Sequence, residues 1–214
     1  MKITIAGGHG QIARHLYPFL INNGHEVRGI IRKPEQADAL KQLGAEPIIC
    51  DMEQEEDLSE AVGEVDAVVF AAGAGPGSGA ERKWTVDRDA AVKLMNAAQN
   101  NGFKRYVMIS AMNLDQPRGS DVFKVYLRAK AEADEALKAS GLQYTIIKPG
   151  RLTDEPGSGK VKIAEDLERG EIPRQDVAAV VAEVLEQVQT AGKTFDLISG
   201  DTPVKEAIQQ FTSP

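Results

Sequence analysis

Short apolar stretches and longer amphipathic stretches alternate along the whole chain, and this alternation is the strongest constraint on its fold. The short stretches are rich in β-branched and other apolar residues, which is typical of strands buried on both faces. They are Lys2–Ala6, Glu26–Ile31, Pro47–Cys50, Ala67–Ala71, Tyr106–Ser110, Tyr144–Ile147 and Thr194–Ile198. The clearest stretches with helical spacing are Gln11–Asn22, Ala90–Asn100, Val122–Ser140, Asp176–Gln189 and Val204–Phe211.

The order strand, helix, strand predicts a parallel sheet, because each right-handed crossover carries the chain back across the sheet. A chain of 214 residues can bury one sizeable core, and no internal repeat or low-complexity linker divides it. We therefore predict an α/β protein with a single domain over residues 1–214. Its sheet should be doubly wound and mostly parallel, with helices on both faces.

Composition excludes several classes of protein. The formal charge of −7 and the pI near 5.1 argue against a nucleic-acid partner, because phosphate backbones are held by clustered Lys and Arg. No apolar run approaches the ~18 residues that span a bilayer, so no membrane segment is expected. A single cysteine, Cys50, suits a reducing compartment, and we expect a cytoplasmic protein. The few histidines have no acidic or thiol partners at ligand spacing, so no metal site is predicted.

Three small residues follow the first strand and open the first helix. Gly7, Gly10 and Ala13 form a G-x-x-G-x-x-A pattern in the segment "AGGHGQIA". Small residues let the backbone approach a pyrophosphate, and a helix N-terminus supplies free N–H groups and partial positive charge. The pattern favours dinucleotide binding over an ordinary tight turn, and His9 is expected to face the bound phosphates.

The end of the second strand indicates which dinucleotide is bound. NAD-binding units of this kind place an acidic residue there to hold the ribose hydroxyls, whereas this chain has Arg32 and Lys33. Guanidinium and ammonium groups attract a 2′-phosphate, so NADP is favoured over NAD. The alternative is a solvated pair of cations at a strand end. The acidic run that begins at Asp51 is expected to start a helix.

Tyr126 and Lys130 lie four positions apart on a predicted helix, so their side chains project from one face. An ammonium beside a phenol is expected to lower the phenol pKa, which suits proton transfer to a substrate oxygen. The lysine can also hold the ribose next to the nicotinamide. The alternative is a chance spacing on a surface helix.

Five segments together resemble a known family. They are "GGHGQIA", "IIRKPEQ", "VDAVVFAAGAG", "YLRAKAEAD" and "SGLQYTIIKPGRL", in this order and over essentially the whole chain. The chain resembles the atypical short-chain dehydrogenase/reductase proteins of the NAD(P)-binding, NmrA-like type, which have a Rossmann fold. Within that family it is similar to small bacterial proteins labelled epimerase/dehydratase and to biliverdin reductase B-like flavin reductases.

The resemblance implies a role for each matching residue. The pyrophosphate would be wrapped by Gly7, Gly10, Gln11 and Ile12. Arg32 would meet the 2′-phosphate, and Asp51 with Met52 would contact the adenine edge. The adenosine ribose side would be lined by Ala71, Ala72 and Gly73, and the nicotinamide would lie beside Pro149 and Gly150. The family places its Tyr and Lys after the fifth strand, where Tyr126 and Lys130 stand.

The third catalytic position is open between two residues. Family enzymes usually hold the substrate oxygen with a Ser or Thr just beyond the fifth strand, and this chain reads "ISAMNLD" there. Either Ser110 or Met112 occupies that position. Because some relatives lack the Tyr, this departure bears on dehydrogenase activity rather than on cofactor binding.

The leading hypothesis is an NADP-dependent reductase of a small carbonyl, quinone or flavin-like acceptor. The first alternative is an NADP-binding redox sensor or scaffold without turnover, with a protein partner or a second copy of the chain. A sugar-nucleotide epimerase or dehydratase is disfavoured, because too few residues follow the sixth strand to build a sugar-nucleotide subdomain. We expect the segment near residues 152–167 to cover the nicotinamide side of the cleft.

Overall fold

The computed structural model describes residues 1–116 and 118–213. Its strands are β1 (Lys2–Ala6), β2 (Glu26–Ile31), β3 (Glu46–Ile49), β4 (Ala67–Phe70), β5 (Arg105–Ile109), β6 (Gln143–Pro149), β7 (Arg151–Thr153), β8 (Lys160–Ala164), β9 (Glu171–Pro173), β10 (Lys193–Ser199) and β11 (Thr202–Pro203). Its α-helices are α1 (Gln11–Asn22), α2 (Ala37–Gln42), α3 (Ser59–Val62), α4 (Ala80–Arg82), α5 (Ala90–Asn101), α6 (Asp121–Ala139), α7 (Arg174–Glu186) and α8 (Val204–Thr212). A π-helix, Lys83–Asp89, joins α4 to α5, and 3₁₀ turns cover Pro34–Gln36 and Val188–Thr190.

The main sheet has the strand order β11-β8-β10-β6-β5-β4-β1-β2-β3. Strands β1 to β6 and β10 are mutually parallel, whereas β8 and β11 pair in the antiparallel direction at one edge. The direction of winding reverses between β1 and β4, which places the opening of a cleft at their carboxyl ends. The prediction of a doubly wound, mostly parallel Rossmann sheet is confirmed.

Helices cover both faces of this sheet and create two apolar cores. One core packs α1, α7 and α8 against the sheet, and the other packs α3, α5 and α6. Along β4 the side chains alternate between them, since Val69 belongs to the first core while Val68 and Phe70 belong to the second. Burial on both faces is why these strands read as continuous apolar runs.

The predicted strands and long helices are all present, with ends that differ by a few residues. One prediction is wrong: the acidic run from Asp51 forms a turn, and the next helix begins only at Ser59. The acidic side chains of this run make local contacts instead; for example, Asp51 Oδ1 accepts a hydrogen bond from the N–H of Glu53 at 3.0 Å. Periodicity also missed the π-helix, strand β8 and the strands β7, β9 and β11, the last three of which have only two or three residues and are too short to show a pattern.

The segment near residues 152–167 is divided between two sheets. Its strand β8 joins the main sheet, where Val161 is fully buried. Ahead of it, β7 pairs in parallel with β9 as a separate two-stranded ribbon. None of the helices among the described residues is both long and apolar enough to cross a membrane.

Candidate functional site

The turn between β1 and α1 is built so that backbone can approach closely. Gly7 has φ +81°, and a Cβ there would lie 2.6 Å from the Cα of Ala72 at the end of β4. The N–H of Gly10 donates to the carbonyl of Gly7 at 2.8 Å, which closes the turn. Behind it, the buried hydroxyl of Tyr17 donates to the carbonyl of Gly8 at 2.9 Å. Glycine at position 7 is therefore required by both backbone angle and space.

The N-terminus of α1 is an uncompensated positive pole. Gly10 precedes the helix and supplies no side-chain cap, and the first turn contains no acidic residue. The first N–H groups of a helix have no partner within the helix, and the aligned peptide dipoles add partial positive charge there. This end of α1 can therefore bind the oxygen atoms of a phosphate group.

A cleft of about 880 Å³ opens at this turn and runs along the carboxyl ends of the parallel strands. The predicted residues that line it are Gly7, His9, Gly10, Gln11, Ile12, Arg32, Asp51, Met52, Ala71, Ala72, Gly73, Ser110, Tyr126 and Lys130. Cationic side chains outnumber acidic ones in its lining, although the whole chain is acidic. The cleft therefore suits an elongated anionic ligand.

Three predicted residues lie outside this cleft. Lys33 is exposed, and its N–H donates to Gln36 Oε1 at 3.2 Å in the turn after β2. Pro149 and Gly150 end β6 and line a second cavity of about 510 Å³. That cavity shares Phe123 and Tyr126 with the cleft, so the two spaces meet at the Tyr126 ring.

Glu53 organises the end of the cleft near β2. Its carboxylate accepts hydrogen bonds from the Arg82 guanidinium, from Thr85 Oγ1 at 2.7 Å and from Arg32 Nη1 at 3.5 Å. The Arg82 hydrogen bond, followed by the Thr85 bond and the nearby positive charges, outweighs burial and lowers the pKa of Glu53. Arg82 contacts this carboxylate more closely than Arg32 does, which leaves the Arg32 guanidinium, 45% exposed, directed at the cleft.

Lys130 lies at the other end of the cleft in a buried polar cluster. Its Nζ donates to the carbonyl of Ile109 at 3.2 Å and lies 3.5 Å from Asp87 Oδ1. Both side chains of this ion pair are almost fully buried. Because an ammonium carries three N–H donors, this arrangement fixes Lys130 and keeps donor capacity for a ligand.

Tyr126 lines the cleft beside this cluster, with its ring stacked on Phe123 at a centroid distance of 5.6 Å. The sequence-based expectation of a lowered phenol pKa is wrong. Burial, followed by the negative charges of Asp87 and Asp134, raises the pKa of Tyr126. The ammonium of Lys130 is already paired with Asp87, so it does not stabilise the phenolate. Tyr126 is therefore a protonated phenol over the whole neutral range.

Ser110 and Met112 occupy different spaces. Ser110 lines the cleft together with Tyr126 and Lys130, and its hydroxyl donates to Asp134 Oδ2 at 2.9 Å. Met112 lines the second cavity instead. Burial raises the pKa of Asp134 to about 6, against the opposing effect of the Ser110 hydrogen bond.

Several polar residues of the site were missed by sequence reasoning. They are Glu53, Arg82, Asp87, Asp134, Asp154 and Arg174. Asp134 carried a usable signal, because Tyr126, Lys130 and Asp134 stand at helical spacing on one face of α6. Asp154 joins distant segments, since its carboxylate accepts hydrogen bonds from Arg174 Nη1 at 2.7 Å and from Gln11 Nε2 at 3.3 Å. No local pattern reveals such a contact.

Comparison with known proteins gives a family and close relatives. Residues 7–188 match a family described as NAD(P)H-binding. The chain is 41% identical over 214 residues to a Bacillus subtilis protein called uncharacterized sugar epimerase YhfK, covering 99% of this chain and 100% of that protein.

Solved structures show the same fold. A Bacillus halodurans protein, whose name places it with NAD-dependent epimerases/dehydratases, has a TM-score of 0.93 and 39% identity, covering 99% of this chain and 100% of that one. The oxidoreductase ylbE from Lactococcus lactis has a TM-score of 0.86 and 30% identity over 98% and 96% of the two chains. ChuY, an anaerobilin reductase from Escherichia coli O157:H7, shares the fold with a TM-score of 0.79 and 21% identity over 94% and 98%.

The family match and these relatives agree with the geometry of the glycine turn, the positive helix end and the cleft. They also agree with the resemblance seen in five segments of the sequence. The chain belongs to the NAD(P)H-binding family and, among the short-chain dehydrogenase/reductase proteins, to the atypical NmrA-like group.

Proposed function

We propose that the protein is an NADP(H)-dependent oxidoreductase that reduces a small carbonyl, quinone or flavin-like acceptor. The observation that carries the proposal is that one cleft joins the phosphate-binding end of α1 to the buried Lys130 cluster and the Tyr126 phenol. When bound, the nicotinamide supplies a hydride. The names of ylbE, an oxidoreductase, and ChuY, an anaerobilin reductase, support this class of reaction.

The residues of the cleft fit a dinucleotide. A volume of about 880 Å³ lies in the range of cofactor sites, ~300–1,000 Å³. Gly7 and Gly10 present backbone without a Cβ beside the open N-terminus of α1, where a pyrophosphate can be held by N–H groups. The excess of cationic lining residues complements the charge of such a ligand.

NADP is proposed over NAD because of Arg32. Its guanidinium lines the cleft at the end of β2, the position at which such folds recognise the adenosine ribose. Glu53, the acid whose carboxylate contacts Arg32, is paired mainly with the Arg82 guanidinium and also accepts a hydrogen bond from Thr85. A 2′-phosphate would therefore meet a positive rather than a negative end of the cleft.

Tyr126 and Lys130 have distinct proposed roles. Tyr126 lines the cleft with a neutral O–H, which can donate its proton to the strongly basic alkoxide oxygen formed when a hydride reaches a carbonyl. Lys130 is held by Ile109 and Asp87, and its remaining donor capacity suits the ribose hydroxyls beside the nicotinamide. Ser110, fixed by Asp134, lies in the same lining and can orient the acceptor oxygen.

A sugar-nucleotide epimerase or dehydratase is a second candidate, since the names of the B. subtilis and B. halodurans relatives point to it. The described residues after β6 mostly complete the main sheet and its helices. Beyond that they add only the β7–β9 ribbon on the acceptor side. Among the described residues, only this ribbon stands where a nucleotide sugar would have to be enclosed, so the reductase is preferred.

The first experiment measures NADPH oxidation with quinones, flavins and carbonyls for the parent protein and for Tyr126→Phe. If a carbonyl is the acceptor, Tyr126→Phe should lose ~10²-fold or more in turnover with little change in NADPH affinity. If a quinone or flavin takes its proton from water, the Phe variant should keep its turnover. A parent protein that binds NADPH but oxidises it with no acceptor is a sensor, and the oxidoreductase proposal is then wrong.

The companion variant, Lys130→Met, tests whether Lys130 contacts the cofactor or only supports the fold. It removes the ribose donor and leaves Asp87 buried without its cation, so NADPH affinity should fall by ~10-fold or more. Arg128→Met on the exposed side of α6 is the matched control and should bind NADPH like the parent. Unchanged binding in Lys130→Met would show that Lys130 does not contact the cofactor.

A further inference from the structure

The second cavity adjoins the cleft on the far side of the Tyr126 ring. Its walls come from the chain after β5, from α6 and from the ends of β6, β7 and β9. Met112, Leu127 and Pro149 give it an apolar surface, and its volume of about 510 Å³ exceeds the needs of a two- or three-carbon compound. We call this space, lined by Met112, Arg118, Tyr126, Pro149 and Arg169 among others, the acceptor cavity.

Two residues that line the acceptor cavity each carry a donor atom with no hydrogen-bond partner within the described part of the chain. These atoms are Nη1 of Arg118 and Nδ2 of Asn113, and both are buried from solvent. Buried donors are nearly always hydrogen-bonded in folded proteins, because an unmade bond is costly. Asn113 also has φ +56°, the one positive value at a non-glycine position among residues 1–116 and 118–213.

The acceptor cavity also carries unbalanced positive charge. Of its arginines, Arg151 is paired with Glu171, the acidic residue of the lining, through an Nε–Oε1 hydrogen bond of 2.8 Å. Neither Arg118 nor Arg169 is in an ion pair with any residue that the structure describes. Burial, together with the positive charge of Arg169, lowers the pKa of Arg118. Two guanidinium groups therefore act on one small apolar space without a counter-charge.

We propose that the acceptor cavity binds the carboxylate of the acceptor, with Arg118 as the principal anchor and Asn113 and Arg169 completing the anion site. This inference rests on the proposed function, because it takes the cavity beside Tyr126 as the place of the acceptor. A planar guanidinium matches a carboxylate with two parallel hydrogen bonds. The substrate class is then an apolar carbonyl or quinone compound that bears a carboxylate at one end and its reducible group toward Tyr126.

The test uses two probes of nearly equal size and shape, 2-naphthoate and 2-naphthamide, of which the first carries a charged carboxylate and the second a neutral amide. Each is titrated calorimetrically into parent protein saturated with NADP⁺. The carboxylate should bind at least ~10-fold more tightly than the amide, since charged hydrogen bonds are stronger than neutral ones. Arg118→Met should remove most of that preference, whereas the control Arg128→Met should keep it. NADP⁺ affinity should be the same in all three proteins.

Equal affinity for the two probes in the parent, or an undiminished preference in Arg118→Met, would overturn the inference. Should Arg118→Met fail to fold, the exposed Arg169→Met takes its place and is expected to weaken 2-naphthoate binding by several fold. Failure of the proposed oxidoreductase function gives a different result from failure of the carboxylate inference. In that case NADP⁺ does not bind, or NADPH is oxidised by no acceptor, and the carboxylate preference is then measured on the cofactor-free protein.

Discussion

At the scale of single residues, two carboxylates respond to their surroundings in opposite ways: Glu53 in the lining of the cleft and Asp134 behind it. Glu53 is ringed by Arg82, Thr85 and Arg32, and its pKa is lowered by those contacts. Asp134 is buried behind Ser110, and loss of hydration raises its pKa to about 6. The first group stays ionised and balances cations near the proposed 2′-phosphate. The second can take up a proton just below neutral pH.

Arg32→Ala tests the cofactor preference. The parent should bind NADPH more tightly than NADH. The variant should lose ~10-fold or more of its NADPH affinity, because a charged hydrogen bond to phosphate is removed, and keep its NADH affinity. Fluorescence titration of both cofactors measures this. Lys33→Ala, which changes the adjacent cation outside the cleft, is the control and should retain the preference. Equal affinities of the parent for the two cofactors would contradict the assignment.

Asp134→Asn tests the raised carboxyl pKa. In the unfolded chain Asp134 has its ordinary pKa near 3.8, and folding raises it to about 6. The folded state therefore holds the proton more tightly, and this contribution to stability is full below pH 4 and lost as the pH rises through 6. The neutral Asn side chain does not titrate, so this loss of stability does not occur in the variant. Its free energy of unfolding should exceed that of the parent by up to roughly 3 kcal/mol at pH 7.5.

The measurement for Asp134 is urea unfolding of both proteins at several pH values. The advantage of Asp134→Asn should shrink steadily between pH 7 and pH 4. Using the difference between the two proteins cancels other titrating groups, such as Glu53, whose effect has the opposite sign. Parallel stability curves for the two proteins would show that Asp134 titrates normally in the folded state.

At the scale of elements, three helices each hold a different part of the site. The π-helix Lys83–Asp89 brings Lys83 and Asp87 into the cleft, and α6 presents Tyr126 and Lys130 to it. In the first turn of helix α7, the buried Asp176 accepts hydrogen bonds from the N–H groups of Ser158 at 3.0 Å and Gly159 at 2.8 Å. The glycine-containing loop before β8 is therefore tied to α7.

Asp176→Ala should destabilise the protein by about 1–3 kcal/mol, because the backbone N–H groups of the exposed Ser158 and Gly159 exchange a charged acceptor for water. Hydrogen exchange should accelerate at Ser158 and Gly159. Asp38→Ala, in which the lost side chain is 88% exposed, is the matched control and should change stability by less than ~0.5 kcal/mol. Similar urea midpoints for the two variants would mean that the Asp176 contacts contribute nothing.

At the scale of the whole molecule, the cleft draws its walls from both halves of the sheet. Strands β1 and β2 supply the glycine turn and Arg32, whereas β4, β5 and α6 supply Ala72, Ser110 and Tyr126. The two halves meet at the pairing of β1 with β4, where Gly7 packs on Ala72. A ligand in the cleft contacts both halves, so its binding should stabilise the domain as one unit.

This expectation can be measured with the single tryptophan, Trp84, which lies in the π-helix against the Arg88 guanidinium at 4.6 Å. Trp84 fluorescence and far-UV circular dichroism should give coincident urea transitions. NADPH at a hundred times its Kd should add about 2.7 kcal/mol to both. If the fluorescence transition came first, the π-helix would unfold separately from the sheet, and the single-unit description would be wrong.

The sequence by itself determined the sheet, the glycine turn and most of the cofactor cleft, because these depend on local order. Apolar strands and amphipathic helices show their period over a few residues, and the strand-helix alternation then allows few topologies. The phosphate-binding turn at Gly7 and Gly10 could be recognised for the same reason, because both the spacing of the glycines and their place after β1 are local features. Tyr126 and Lys130 could be paired from the sequence because residues four positions apart on a helix lie on the same face.

Only the tertiary structure decided what surrounds those residues. The ion pair of Lys130 with Asp87 joins α6 to a π-helix more than forty positions earlier. Burial of the Tyr126 ring, followed by the negative charges of Asp87 and Asp134, raises the Tyr126 pKa, opposite to the direction expected from the sequence. Arg82 reaches Glu53 across 29 positions, and Asp176 holds a loop 17 to 18 positions before it. Charge, burial and unpaired donors are set by such neighbours in space, which no local spacing records.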